Sequence, residues 1–113
     1  MEVVTAATPM PKFVPVCPAD DIPEGEVRMQ PVGELVLAIF HIAGEYYALD
    51  NQCPHAGASL AHGYIDGDIV SCRIHHWRFC IRDGKYVDED KPHFDAHSYP
   101  VRLADGMIEV DLS

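Results

Sequence analysis

Basic side chains are scarce. Eight lysines and arginines stand against eighteen aspartates and glutamates, a formal net charge of −10 over 113 residues. A field of that sign repels phosphate backbones and anionic headgroups, so nucleic acid and membrane surfaces suit this chain poorly as partners and a basic protein surface suits it better. Long apolar runs are missing too. The longest, Leu35 to Phe40, is far short of the roughly 18 residues that suggest a membrane-spanning helix, and it reads as a buried strand. No stretch keeps a helical period, and no segment is of low complexity. The first basic residue is Lys12, and an acidic Glu2 stands where an export signal would place positive charge, so a cytoplasmic location is expected. Also absent are a glycine-rich phosphate loop and a nucleophile spaced with a base, so no catalytic residue is assigned and the chain is not expected to be an enzyme by itself.

What remains is the composition of an ordinary folded domain, with 48% hydrophobic and 23% charged residues. A chain of this length buries roughly two-thirds of its unfolded surface, enough for one core. Residues 1–11, with Pro9 and Pro11, read as a flexible tail, and 12–113 as one domain. Short apolar stretches follow: Phe13 to Val16, Glu26 to Gln30, Glu34 to Ile42, Glu45 to Leu49, Ile69 to Cys72, Trp77 to Ile81, Ser98 to Leu103 and Met107 to Leu112. Between them lie turn pairs, clearest at Asp66-Gly67, Asp83-Gly84 and Asp105-Gly106, with Ala43-Gly44 weaker, because glycine accepts the positive φ of two-residue hairpin loops. The pattern predicts a compact antiparallel all-β fold with little helix beyond a turn near Asp20 to Pro23.

The four cysteines are Cys17, Cys53, Cys72 and Cys80. In a small exported protein they would suggest two disulfides, but neighbouring histidines favour metal. Cys53-Pro54-His55 and Cys72-Arg73-Ile74-His75 each offer a thiolate followed closely by an imidazole, with Ala56 to Ser71 between them. Each half falls after a strand, at a loop tip, so both tips can converge on one object. Two Cys and two His also make a tetrahedral zinc set, although a one-residue Cys-x-His spacing is unusual for zinc.

This C-x-H and C-x-x-H pairing resembles the signature of the Rieske family. The likeness runs through Cys53 to Gly57, the turn Gly63 to Asp68, and Cys72 to Phe79, then more weakly through Pro92 to the last strand. It implies a Rieske-like antiparallel β sandwich or partial barrel, with a small cluster-binding subdomain at about 51–84. It also implies one [2Fe-2S] cluster, with Cys53 and Cys72 on the inner iron and His55 and His75, near solvent, on the outer. Two ferric ions, two sulfides and two thiolates sum to zero charge, whereas four thiolates would give −2, so this ligand set eases reduction. High-potential members carry a disulfide clamp and, after the second histidine, serine and tyrosine donors to sulfur. Trp77 and Phe79 stand in those places, so a low potential is expected.

The same likeness implies a one-electron ferredoxin similar to those of biphenyl-type dioxygenases, taking electrons from a flavin-dependent reductase and delivering them to a terminal oxygenase as a monomer. A second reading is the redox-active small subunit of an assimilatory nitrite reductase, bound to the large subunit. Cys17 and Cys80 are expected to be buried apolar side chains. His41, His62, His76, His93 and His97 read as surface or strand histidines, and Trp77 and Phe79 as core. Pro92 is assigned to a third loop near the centre or to an ordinary turn. The run Asp88-Glu89-Asp90 reads as a solvated loop able to steer a basic partner.

Overall fold

The central strand explains the architecture. A computed structural model describes residues 12–54, 58–74 and 76–112; the tail expected at 1–11 lies outside them, as do His55 and His75. Within the strand Leu35–Ile42 (β3), Leu37 and Ile39 point into one core and Ala38, Phe40 and Ile42 into another. Alternate side chains leave a strand on opposite faces. A strand buried on both faces therefore reads as an unbroken apolar run rather than an alternation. The start of the run escapes burial, since Leu35 and Val36 are exposed.

β3 is flanked by Val27–Val32 (β2) and Glu45–Asp50 (β4), and β4 pairs with Ser98–Tyr99 (β8), all antiparallel. One face of this sheet packs on a second, in which Met107–Asp111 (β10) lies between Phe13–Pro18 (β1) and Val101–Ala104 (β9). Cys17, Ile22, Ala48, Ile108 and Val110 fill that space with Leu37 and Ile39. The other face packs on a three-stranded sheet of Tyr64–Asp66 (β5), Ile69–Ser71 (β6) and Arg78–Cys80 (β7). Leu49, Cys53, Leu60, Val70, Cys72, Phe79 and Ile81 are buried there. The fold is all-β and antiparallel, as expected. Among the described residues there are three short 3-10 turns, at Ala19–Asp21, Leu60–His62 and Pro92–Phe94, and no helix long and apolar enough to cross a membrane.

The hairpins follow the glycines, with corrections. Ala43-Gly44 and Asp105-Gly106 are two-residue loops with both φ values positive, the geometry whose twist matches that of the strands it joins. At Asp66-Gly67 the loop is instead Gly67-Asp68, because Asp66 still pairs with Ile69. Gly33-Glu34 closes β2 onto β3, a further turn beyond those the sequence pattern predicts. Asp83-Gly84 belongs to a wider loop in which Gly84 donates to the Cys80 carbonyl at 2.7 Å and Cys80 to that of Lys85 at 2.8 Å.

Glu24 stitches this hairpin to the chain before β2. Its carboxylate accepts the Ala43 and Gly44 amides at 2.6 and 2.8 Å, and His41 Nε2 lies 3.4 Å away. The Gly44 amide above all, then Ala43 and His41, hold the carboxyl below its usual range against some desolvation. A carboxyl whose folded pKa is depressed adds stability above its unfolded pKa and loses that contribution as pH falls through the folded value. Glu24→Gln is thus expected to lower the thermal midpoint at neutral pH, with the gap to wild type closing below about pH 4; melts across pH 3–8 measure it.

Candidate metal centre

Both cysteine loops are closed by the same device. Cys53 donates its N–H to the carbonyl of Ala58 at 2.8 Å, and Cys72 donates its own to the carbonyl of Trp77 at 2.7 Å. Each bond joins a cysteine to the fifth residue after it, so each loop is tied at its neck by backbone alone. The local echo in the sequence is thus an echo in shape. His55 and His75 fall within these loops by chain position and lie outside the described residues.

The two sulfurs meet. Cys53 is 1% exposed and Cys72 fully buried. Burial pushes the Cys72 thiol up, the Ile74 N–H aimed at its sulfur pulls it down, and the hydrogen-bonding, like-charged neighbour Cys53 raises it again. Two facing, buried sulfurs from separate loops can ionise together only if a cation compensates them, and a bound metal deprotonates a coordinating thiol outright. The donor set therefore fits metal. All four cysteines are free thiols, which removes the disulfide reading. Cys17 is buried as expected, whereas Cys80 is only partly so; its sulfur takes backbone hydrogen bonds from Arg82 and Asp83 in its own loop, away from the centre.

Neighbouring side chains brace the second loop. Phe79 is fully buried, and half-buried Trp77 stacks on Tyr86 with centroids 4.6 Å apart. Phe94 meets Trp77 edge-on at 5.0 Å. Phe94 ends the 3-10 turn that Pro92 opens, so the segment around Pro92 packs against the second cysteine loop. The acidic run is more engaged than a solvated loop. Asp88 pairs with Arg78, whose hydrogen bond lowers the Asp88 pKa, and Glu89 with Lys91 at 3.0 Å. His62, His76, His93 and His97 are exposed, and His41 is half-buried in β3.

Two contributors were not visible in the sequence. Asn51, just before the first motif, is buried; a polar residue facing inward beside a cysteine could have flagged it. Gly63 reads in the sequence as part of a turn, with no sign of its contact with the strand before the second cysteine. A Cβ there would collide with the Ser71 carbonyl and lie 3.2 Å from that of Leu60, and Ser71 adjoins Cys72. Gly63→Ala is expected to cost about 1–3 kcal/mol by overpacking and to reduce iron per chain, measured by urea unfolding and metal analysis.

Comparison with known proteins agrees. The Rieske [2Fe-2S] domain matches residues 12–100. The chain is 37% identical over 102 residues to the biphenyl dioxygenase ferredoxin subunit of Pseudomonas sp. strain KKS102, covering 89% of this chain and 93% of that one. It is 39% identical over 98 residues to the 3-phenylpropionate/cinnamic acid dioxygenase ferredoxin subunit of Shigella flexneri serotype 5b (strain 8401), covering 85% and 90%. A solved ferredoxin of Sphingomonas yanoikuyae B1 superposes with a TM-score of 0.78 at 30% identity, over 90% of this chain and 100% of that one. The ferredoxin fold thus extends over nearly the whole chain. The chain accordingly belongs to the Rieske [2Fe-2S] domain family, and carries single electrons on one [2Fe-2S] cluster rather than catalysing a reaction of its own.

Proposed function

We propose that Cys53, His55, Cys72 and His75 hold the cluster, the cysteines on the inner iron and the histidines on the outer, and that the chain is the ferredoxin of a dioxygenase system. The observation that carries this reading is the meeting of buried Cys53 and Cys72 at the necks of two equivalently tied loops. The bound cluster supplies a site that gains and returns one electron. The chain supplies thiolates sheltered from water, an amide on sulfur from Ile74, and a rigid mount packed on the central sheet, with residues 51–84 acting as the cluster-binding subdomain of a single domain, 12–113.

In this reading a flavin-dependent reductase donates the electron and a terminal oxygenase receives it. Support comes from the named relatives and from a solved complex of reduced oxygenase with oxidised ferredoxin in carbazole 1,9a-dioxygenase, whose chain matches this one with a TM-score of 0.76 at 28% identity. The match to ferredoxins over almost their full length favours a free carrier over a nitrite reductase small subunit. The proposed carrier is a cytoplasmic monomer, and its charge of −10 suits a basic partner rather than nucleic acid or a membrane. Phe79 offers sulfur no donor, which supports a potential nearer about −150 mV than +300 mV.

The test is reconstitution. Purified protein with a reductase and NADH should pass electrons to a matching oxygenase, and gel filtration should give a monomer. Voltammetry well above 0 mV, or stable co-purification with a nitrite reductase, would sink the assignment.

A further inference from the structure

Asn51 is the buried polar side chain among the described residues, 7% exposed. It lies two positions before Cys53 and works with all its oxygens. Its backbone carbonyl accepts the Leu60 N–H at 2.7 Å, and its backbone N–H donates to the Val36 carbonyl in β3 at 2.9 Å. Its side-chain Oδ1 accepts the Ala61 N–H at 2.9 Å and the Ser59 hydroxyl at 3.1 Å. Gln52 and Ser59 form a β-bridge between these bonds and the neck at Cys53 and Ala58.

The two limbs of the first cysteine loop are thus bound at successive levels: Cys53 to Ala58, Gln52 to Ser59, and Asn51 to Ser59, Leu60 and Ala61. The last level alone uses a side chain. It also reaches β3, so it anchors the loop to the strand shared by both cores. Leu60, on the far limb, is fully buried and packs in the same cluster as Cys53 and Cys72. A buried acceptor with two donors is costly to lose, because the Ala61 amide would lose its partner and the Ser59 hydroxyl would keep only the Met29 sulfur at 3.9 Å.

We infer that Asn51 is the positioning residue of the first cluster loop: its side-chain oxygen fixes the far limb, and so holds the Cys53 sulfur opposite that of Cys72. The inference rests on the reading that Cys53 is a ligand. A merely structural asparagine would change stability alone; a positioning one changes the cluster.

The experiment compares holoprotein of wild type, Asn51→Leu, Asn51→Asp, Ser59→Ala and Cys53→Ser. It reads the rate of cluster bleaching in the presence of an iron chelator, the reduction potential and the electron paramagnetic resonance spectrum of the dithionite-reduced form. Asn51→Leu is expected to bleach about tenfold faster, with a shifted potential and a broadened spectrum. Asn51→Asp keeps an acceptor oxygen and should bleach within about twofold of wild type. Ser59→Ala removes one donor, should bleach about threefold faster, and stands in should Asn51→Leu fail to fold. Wild-type bleaching, potential and spectrum in Asn51→Leu, or in Ser59→Ala where the leucine variant does not fold, would overturn the inference, even with a lowered melting point. So would an aspartate variant as labile as the leucine one. A normal cluster in Cys53→Ser would instead remove the ligand reading itself.

Discussion

Cys72→Ser should be colourless. Wild-type protein purified without oxygen is expected to be red-brown with two irons and two inorganic sulfides per chain, and the serine variant should hold essentially none. A serine hydroxyl does not ionise near neutral pH, so the variant would place a neutral, poorly ligating oxygen in a site with no access to water, since Cys72 is fully buried. The loss is not a folding effect alone. Serine is close to cysteine in size, the Cys72 to Trp77 backbone bond needs no side chain, and the core around Phe79 and Val70 is unaltered. Cys17→Ser and Cys80→Ser serve as controls and should keep full iron, since one lies in the other core and the other bonds within its own loop. Iron, sulfide and zinc determinations, with strand content by circular dichroism, decide the matter. Folded wild type carrying zinc or nothing would end the account.

His75→Cys should keep a cluster and lose potential. Replacing a neutral imidazole by a thiolate takes the oxidised site from zero to −1, and the added electron then enters against a negative charge. The two ends of the known range bracket the effect: about −150 mV for low-potential Rieske centres and about −400 mV for four-thiolate plant-type ferredoxins. One thiolate takes the site half-way to the four-thiolate charge, so a drop of about 100–150 mV is expected, roughly two decades in the equilibrium constant for accepting one electron. Voltammetry measures it directly. An unchanged potential with an intact cluster would show that position 75 is not a ligand.

Much of this was legible in the residues, for identifiable reasons. Period-two strands and the Ala43-Gly44 and Asp105-Gly106 loops are local events, so local chemistry specifies them. The paired motif was legible because ligand spacing is covalent. Tyr64–Asp66 reads as part of a turn although it forms β5; at three residues its strand character comes from pairing with β6, not from its own propensity. The Gly33-Glu34 loop places glycine first and a charged residue second, outside the X-Gly pattern of Ala43-Gly44 and Asp105-Gly106. Cysteine is commonly buried, which points Cys80 to the core, but a loop carrying Arg82 and Asp83 keeps it partly open. Asn51, and the packing of Trp77 with Tyr86 and Phe94, depend on segments distant in the chain meeting in space. No window of sequence contains such a contact.

The order of the central sheet has one more consequence. Its outer strands are β2 and β8, and each is a poor template for another chain. β8 is two residues long. β2 carries Pro31, whose ring nitrogen has no hydrogen to offer, and the charged Arg28. Self-propagating strand addition, the first step towards fibrils, would find no adequate footing on that sheet. Edge-to-edge growth from the central sheet is thereby blocked on both sides by the chain's own local chemistry.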